Sequence, residues 1–155
     1  MAMEQSGDGR EDRRKTMGAL ACMPAALLAE RYEALSATAP EAVPVRGPEV
    51  GLVMLRGRAG GGGAAFNLGE ASVVRATVRL DSGEVGHAVV LGRDTGHARM
   101  AAHLDALWQS PAWRARVEDE VVAPGLAATS SETGIRAEET EATRVDFFTL
   151  VRGED

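Results

Sequence analysis

The sequence predicts an α+β fold in which a small, mostly antiparallel sheet of about four strands packs with helices. Three observations carry this. Residues 71–92 read as two alternating arms around a tight turn, "DSGE". Apolar residues recur at helical spacing on either side of that hairpin. The 155 residues suit one domain, placed at residues 11–155 behind a polar, glycine-spotted tail, "MAMEQSGDGR", expected to be disordered.

The elements follow in order. A short helix is expected at 11–21, with Met17, Leu20 and Ala21 on one side. Pro24 ends it and suits the opening of the next helix, 24–36, where Leu28, Tyr32 and Leu35 recur. The segment "EVGLVMLRGR" reads as a strand at 49–57, and "AGGGGAAFNLGE" as a loop, since a run of glycines holds regular structure poorly. In the strand at 71–80, Val74, Ala76, Val78 and Leu80 share one face. Val73, Arg75, Thr77 and Arg79 share the other. The strand at 85–92 returns as the second arm of the hairpin, with His87 on the face of Val85, Val89 and Leu91.

Asp94 is placed to cap a helix at 95–109, whose stripe is Met100, Leu104, Leu107 and Trp108. Ser110 and Pro111 signal another start, giving a helix at 111–122 that Pro124 and Gly125 should stop. Residues 127–143 admit a further helix, with Gly134 costing about 1 kcal/mol against alanine. A last strand is expected at 144–152. Val145, Phe147, Thr149 and Val151 point one way; Asp146, Phe148 and Leu150 point the other. Both faces carry a large apolar group, so Phe147, Phe148 and Leu150 form a candidate subunit interface. The plainer alternative is one exposed phenylalanine, which single apolar residues often are.

Composition narrows the function. The net charge of −6 disfavours general binding to nucleic acid or anionic membranes. A single cysteine, Cys22, excludes an internal disulfide and a cysteine-based zinc site within one chain, and is expected to be a buried apolar group. No apolar run is long enough to cross a bilayer and no secretory signal is visible, so a cytoplasmic location is expected. Much of the 45% hydrophobic content is alanine, and aromatics are 4%. The core built by the chain alone should therefore be modest, which hints at a partner.

Few residues suggest chemistry. His97 and His103 are six apart on one predicted helix and point about 120° apart, so they cannot close on one metal from it. "GRDTGHA" places Arg93, Asp94 and His97 at a strand-to-helix junction, where capping by Asp94 outweighs catalysis. The glycine run lacks the Gly-Lys-Ser/Thr and following helix of a phosphate loop. Arg75 and Arg79 are four apart on one strand face and could hold phosphates or, better, carboxylates of another chain. Arg75, Arg79, Arg93 and His97 are thus candidate phosphate or partner contacts; no catalytic or metal-ligating residue is assigned.

Three blocks carry a family resemblance: "FNLGEASVVRATVRLDSGEVGHAVVLGRD", "HARMAAHLDAL" and "RVDFFTLVRG", with looser agreement in "PAALLAERYEAL". In order and spacing the chain resembles PhnG, a subunit of the bacterial carbon–phosphorus lyase system. The resemblance covers nearly everything from about residue 17 onward and is weakest at 127–143. It implies a core complex with PhnH, PhnI and PhnJ subunits, each present twice, and a link to PhnL. It also implies the reaction in which an alkylphosphonate displaces adenine from ATP at the ribose C1′ carbon, giving ribose 1-alkylphosphonate 5-triphosphate. In that picture the chemistry lies on partner subunits, PhnG is an accessory structural subunit, and ATP is a substrate of the complex, with no cofactor bound by this chain alone. No family catalytic residue maps onto a position here. The competing readings are a self-sufficient enzyme that gathers a phosphorylated ligand with Arg75, Arg79, Arg93 and His97, and an unrelated scaffold or regulator.

Overall fold

The computed structural model describes residues 5–58 and 63–142. Helices α1 (Gln5–Cys22) and α2 (Ala25–Ser36) precede three strands, β1 (Ala42–Gly57), β2 (Phe66–Leu80) and β3 (Val85–Leu91). Then come α3 (Thr95–Gln109), a short α4 (Arg114–Val117), a π-helical turn at Glu118–Val122 and α5 (Ala123–Ala142). The strands form one antiparallel sheet in the order β1-β2-β3. This is the expected α+β architecture, with three strands among the described residues. The fourth expected strand, 144–152, lies outside them, as do Phe147, Phe148 and Leu150.

The sheet buries one face. Val74, Ala76, Val78 and Leu80 of β2 join Ala88 and Val90 of β3 in a core with the helices. Alternation along β2 sends Arg75 and Arg79 to the other side, where both are exposed. Against the buried face lies α3, whose small side chains Ala98, Ala101, Ala102 and Ala106 let its backbone come close. The approach is tight enough that a side chain on Gly86 would collide with Ala102 and Ala106 of α3. Leu20, Leu28 and Leu35 from α1 and α2, and Val117 and Val121 near the π turn, complete the core. It is built from leucine, valine and alanine, with Trp108 as its one fully enclosed aromatic among the described residues.

Several expectations are corrected. Helix α1 begins at Gln5, not at residue 11, and takes in part of the stretch expected to be a disordered tail. Once packing fixes its later turns, each added residue gains one hydrogen bond for one residue ordered. Cys22 is exposed, and the adjacent Met23 takes the core position. Strands β1 and β2 are longer than expected, by residues 42–48 and 66–70. Pro44 and Pro48 lie within β1, which is an edge strand among the described residues, where proline is tolerated because an N–H facing away from the ladder is not needed.

Pro124 and Gly125 do not stop the helix. The π turn sits just before Pro124 and widens the backbone there. A proline ring would otherwise crowd the carbonyl four residues earlier. Gly125 packs against Met23, and a side chain on it would collide with the Met23 thioether. Gly125 lies inside α5 and does not end it. The helix expected from Ser110–Pro111 begins only at Arg114, after a turn in which the Trp113 and Arg114 N–H groups donate to the Ser110 carbonyl at 3.0 and 2.9 Å.

Candidate functional site

The residues singled out from the sequence separate onto opposite sides of the sheet. Arg75 and Arg79 project from the open face. Arg75 lies 3.6 Å from Glu49 of the neighbouring strand, and Arg46 holds the same carboxylate at 2.8 Å. Arg93 is exposed in the turn between β3 and α3. His97 is buried on the helical side, with Nε2 2.8 Å from the Leu20 carbonyl. Because a carbonyl only accepts, that nitrogen carries the proton. His97 therefore ties α3 to the end of α1 and is not gathered with the arginines. Asp94 caps α3 as expected, accepting from the His97 N–H at 2.9 Å.

The other two histidines are also engaged. His87 pairs with Thr77 across the open face at 3.1 Å. His103 sits beside a cleft of about 430 Å³ lined by Tyr32, Glu41, Pro44 and Arg99 among others. Its Nε2 lies 2.9 Å from the Pro40 carbonyl and its Nδ1 2.9 Å from the Tyr32 hydroxyl. The carbonyl fixes Nε2 as donor, so Nδ1 accepts from tyrosine and the ring is neutral. Burial holds the His103 pKa below the ordinary histidine value; the Arg99 charge pushes the same way and the Pro40 carbonyl opposes. Burial raises the Tyr32 pKa, against Arg99. With both ring nitrogens committed, His103 joins α2, the loop after it and α3, and has no lone pair to spare for proton abstraction.

A third polar cluster was not visible in the sequence. Asp105 of α3 is fully buried and takes two hydrogen bonds from Arg13 of α1, at 2.9 and 2.7 Å. It also accepts the His87 backbone N–H at 2.8 Å. The Val85 carbonyl meanwhile accepts from Gln109 at 2.7 Å and from Arg13 at 3.3 Å. These groups point off the outer side of β3, away from β2. Side chains from α1 and α3 thus stand in for a neighbour strand along the first part of β3, at Val85 and His87. Among the described residues no group of three His, Cys, Asp or Glu side chains could hold a metal, and no helix is long and apolar enough to cross a membrane.

The largest chemical irregularity is apolar. Beyond Glu49, β1 and the start of β2 run past the helices as an arm. Leu52 is 62% exposed, Met54 61% and Leu68 61%, with Val50, Leu55 and Phe66 close behind. Register places Leu52 and Met54 on the face that is buried further along the sheet, and Val53 and Leu55 on the opposite face. Both sides of the arm are therefore apolar and open. Leu91 of β3, opposite Val73, adds to one of them at 72% exposure. Such a surface exceeds the scattered apolar residues of an ordinary monomer and has the character of an interface. The signal lay in "LVML", four apolar residues without alternation. The two-faced pattern expected of Phe147 and Phe148, which lie outside the described residues, is seen in this arm instead.

Comparison with known proteins adds an independent finding. The family model described as phosphonate metabolism protein PhnG matches residues 11–153. The alpha-D-ribose 1-methylphosphonate 5-triphosphate synthase subunit PhnG of Rhizobium meliloti (strain 1021) is 56% identical over 149 residues. That alignment spans 95% of this chain and 93% of the relative.

Proposed function

The chain belongs to the PhnG family of phosphonate-metabolism proteins, and on that premise we propose that it is an accessory subunit of an α-D-ribose 1-methylphosphonate 5-triphosphate synthase. The observation that carries the proposal is identity of 56% along almost the full length of a relative named as that subunit. In the reaction, the bond between adenine and the ribose C1′ carbon of ATP breaks. A phosphonate oxygen forms the new bond to C1′, and adenine leaves with a proton. ATP enters as a substrate of the assembly, and this chain holds no cofactor of its own.

The physical chemistry of the chain supports a structural role. Its three histidines are tied into local hydrogen bonds. Arg75 and Arg79 face away from His97 across the sheet, so these residues do not converge on one ligand. The apolar arm needs a cover that a subunit assembly supplies. The partners in this reading are PhnH-, PhnI- and PhnJ-like subunits, with a PhnL-like protein linked to the same step, two copies of this chain per complex, and a cytoplasmic location. Co-expression with those subunits tests it: adenine release from ATP and methylphosphonate should require this chain. The competing enzyme reading expects micromolar ATP binding to the isolated chain, lost in Arg93→Ala without loss of folding; that outcome would displace the subunit reading.

A further inference from the structure

Among the described residues the sheet ends at β1 and β3, and the start of β3 is treated differently from the middle of β1. On β3 the outward groups at Val85 and His87 are bonded by Arg13, Gln109 and Asp105. On β1 the outward positions follow from the pairing. The Gly92 N–H donates to the Ser72 carbonyl, and the Leu80 N–H to the Glu84 carbonyl. Even-numbered residues of β2 therefore bond to β3, and odd-numbered residues turn to β1. The odd residues 71, 73 and 75 pair with Val53, Gly51 and Glu49. Val50, Leu52 and Met54 consequently turn their N–H and C=O groups away from the sheet.

The first half of β1 is guarded by Pro44, Pro48 and two register shifts before Glu49, which are ordinary protections of an edge strand. The stretch from Val50 to Met54 has none, and apolar side chains flank it on both faces. An open edge of this kind is a template for another strand.

Charge says what the other strand carries. Along β1 and β2, with Arg58 just beyond, stand five arginines (46, 56, 58, 75 and 79) against two glutamates, Glu49 and Glu70. That is a net of +3, or +1 once Glu41 and Asp81 at the far ends of the same strands are counted, within a chain of net −6, so the positive charge is concentrated at Arg56 and Arg58. Glu49 is shared by Arg46 and Arg75, while Arg56, Arg58 and Arg79 have no ion pair among the described residues. A second copy would bring a like-charged arm. Antiparallel pairing about Leu52 would set Arg46 of each copy near Arg58 of the other, and like charges facing each other across strands repel.

Resting on the subunit reading above, we propose that the outer edge of β1 at Val50–Met54 is a docking strand for another subunit of the synthase. That subunit adds a strand with apolar side chains on both faces and carboxylates level with Arg56 and Arg58. Backbone bonds supply the pairing, the apolar arm supplies the burial, and the arginines select the partner and its register.

The test uses the chain co-expressed with the PhnH-, PhnI- and PhnJ-like subunits. Leu52→Pro removes an outward N–H that β2 does not use, and Arg56→Glu with Arg58→Glu reverses the charge without touching the backbone. Each variant should keep the circular dichroism of the isolated chain and lose at least tenfold in affinity for the assembly. Amide exchange at Leu52 and Met54 should slow at least tenfold in the wild-type complex. Wild-type assembly with unchanged exchange, or variants that assemble as wild type, overturns the docking strand and leaves the subunit reading standing. A wild-type chain that joins none of these subunits overturns both. An isolated dimer broken by Leu52→Pro overturns the partner in favour of a second copy.

Discussion

Arg13 grips the fully buried carboxylate of Asp105 with two hydrogen bonds, at 2.9 and 2.7 Å, across a separation of 92 residues. The pair binds the first helix to the middle of α3, and the same carboxylate holds the β3 backbone at His87. Three elements therefore meet on one acidic side chain. Its partner is partly exposed, at 31% of the side chain, while Asp105 is wholly enclosed.

That asymmetry sets a prediction. Arg13→Met leaves a buried carboxylate with only one neutral donor. Removing one partner of a buried pair costs about 3–5 kcal/mol. Urea unfolding of the variant should show a loss in that range, and α1 should lose amide protection first. A loss below about 1 kcal/mol, the range of an exposed pair, would mean that water reaches the carboxylate.

Gly86 offers a packing test. It lies where α3 presses closest on β3, and any side chain there meets the α3 backbone at Ala102. Gly86→Val suits a strand by propensity, yet overpacking of this kind costs about 1–3 kcal/mol. The measurement is the denaturation midpoint. An unchanged or raised midpoint would show that α3 can yield.

His103 predicts a pH dependence. Its folded pKa lies below the usual 6.5, so the unfolded chain takes the proton more readily. The neutral ring's contribution to stability is complete above about 6.5 and is lost as pH falls below that value. Unfolding free energy should drop between about pH 7.5 and pH 5, and His103→Asn should flatten that part of the drop. The same slope in the variant would place the titration elsewhere.

The exposed arm predicts behaviour in solution. Leu52→Glu with Leu68→Lys replaces side chains that contact mainly solvent, so stability should shift by no more than about 0.5 kcal/mol. Incorporation into the assembly with the co-expressed subunits should fall, as measured by sedimentation. A large loss of stability instead would show that these side chains pack within the chain.

The sequence was most legible where periodicity and burial agree. The boundaries of α3 and its cap by Asp94 could be read directly, because one capping residue and one apolar stripe decide them. The core face of β2 could be read from alternation. The continuation of the helix through Pro124 could not, since it depends on a local π turn, a feature of backbone geometry and not of residue type. Nor could the bond between Arg13 and Asp105, which needs the tertiary approach of two helices. Of the candidate contacts, Arg75 and Arg79 were placed together by parity alone, whereas His97 was separated from them by which side of the sheet α3 covers. The open arm was written in "LVML", but apolar runs also mark strands buried on both faces, and only the third dimension distinguishes the two.

The most direct test is the mass of the assembly formed when this chain is co-expressed with the PhnH-, PhnI- and PhnJ-like subunits. The account predicts a single stoichiometric species that contains this chain and releases adenine from ATP and methylphosphonate. A monodisperse, heat-stable monomer that stays apart from those subunits, while they release adenine without it, would contradict the account.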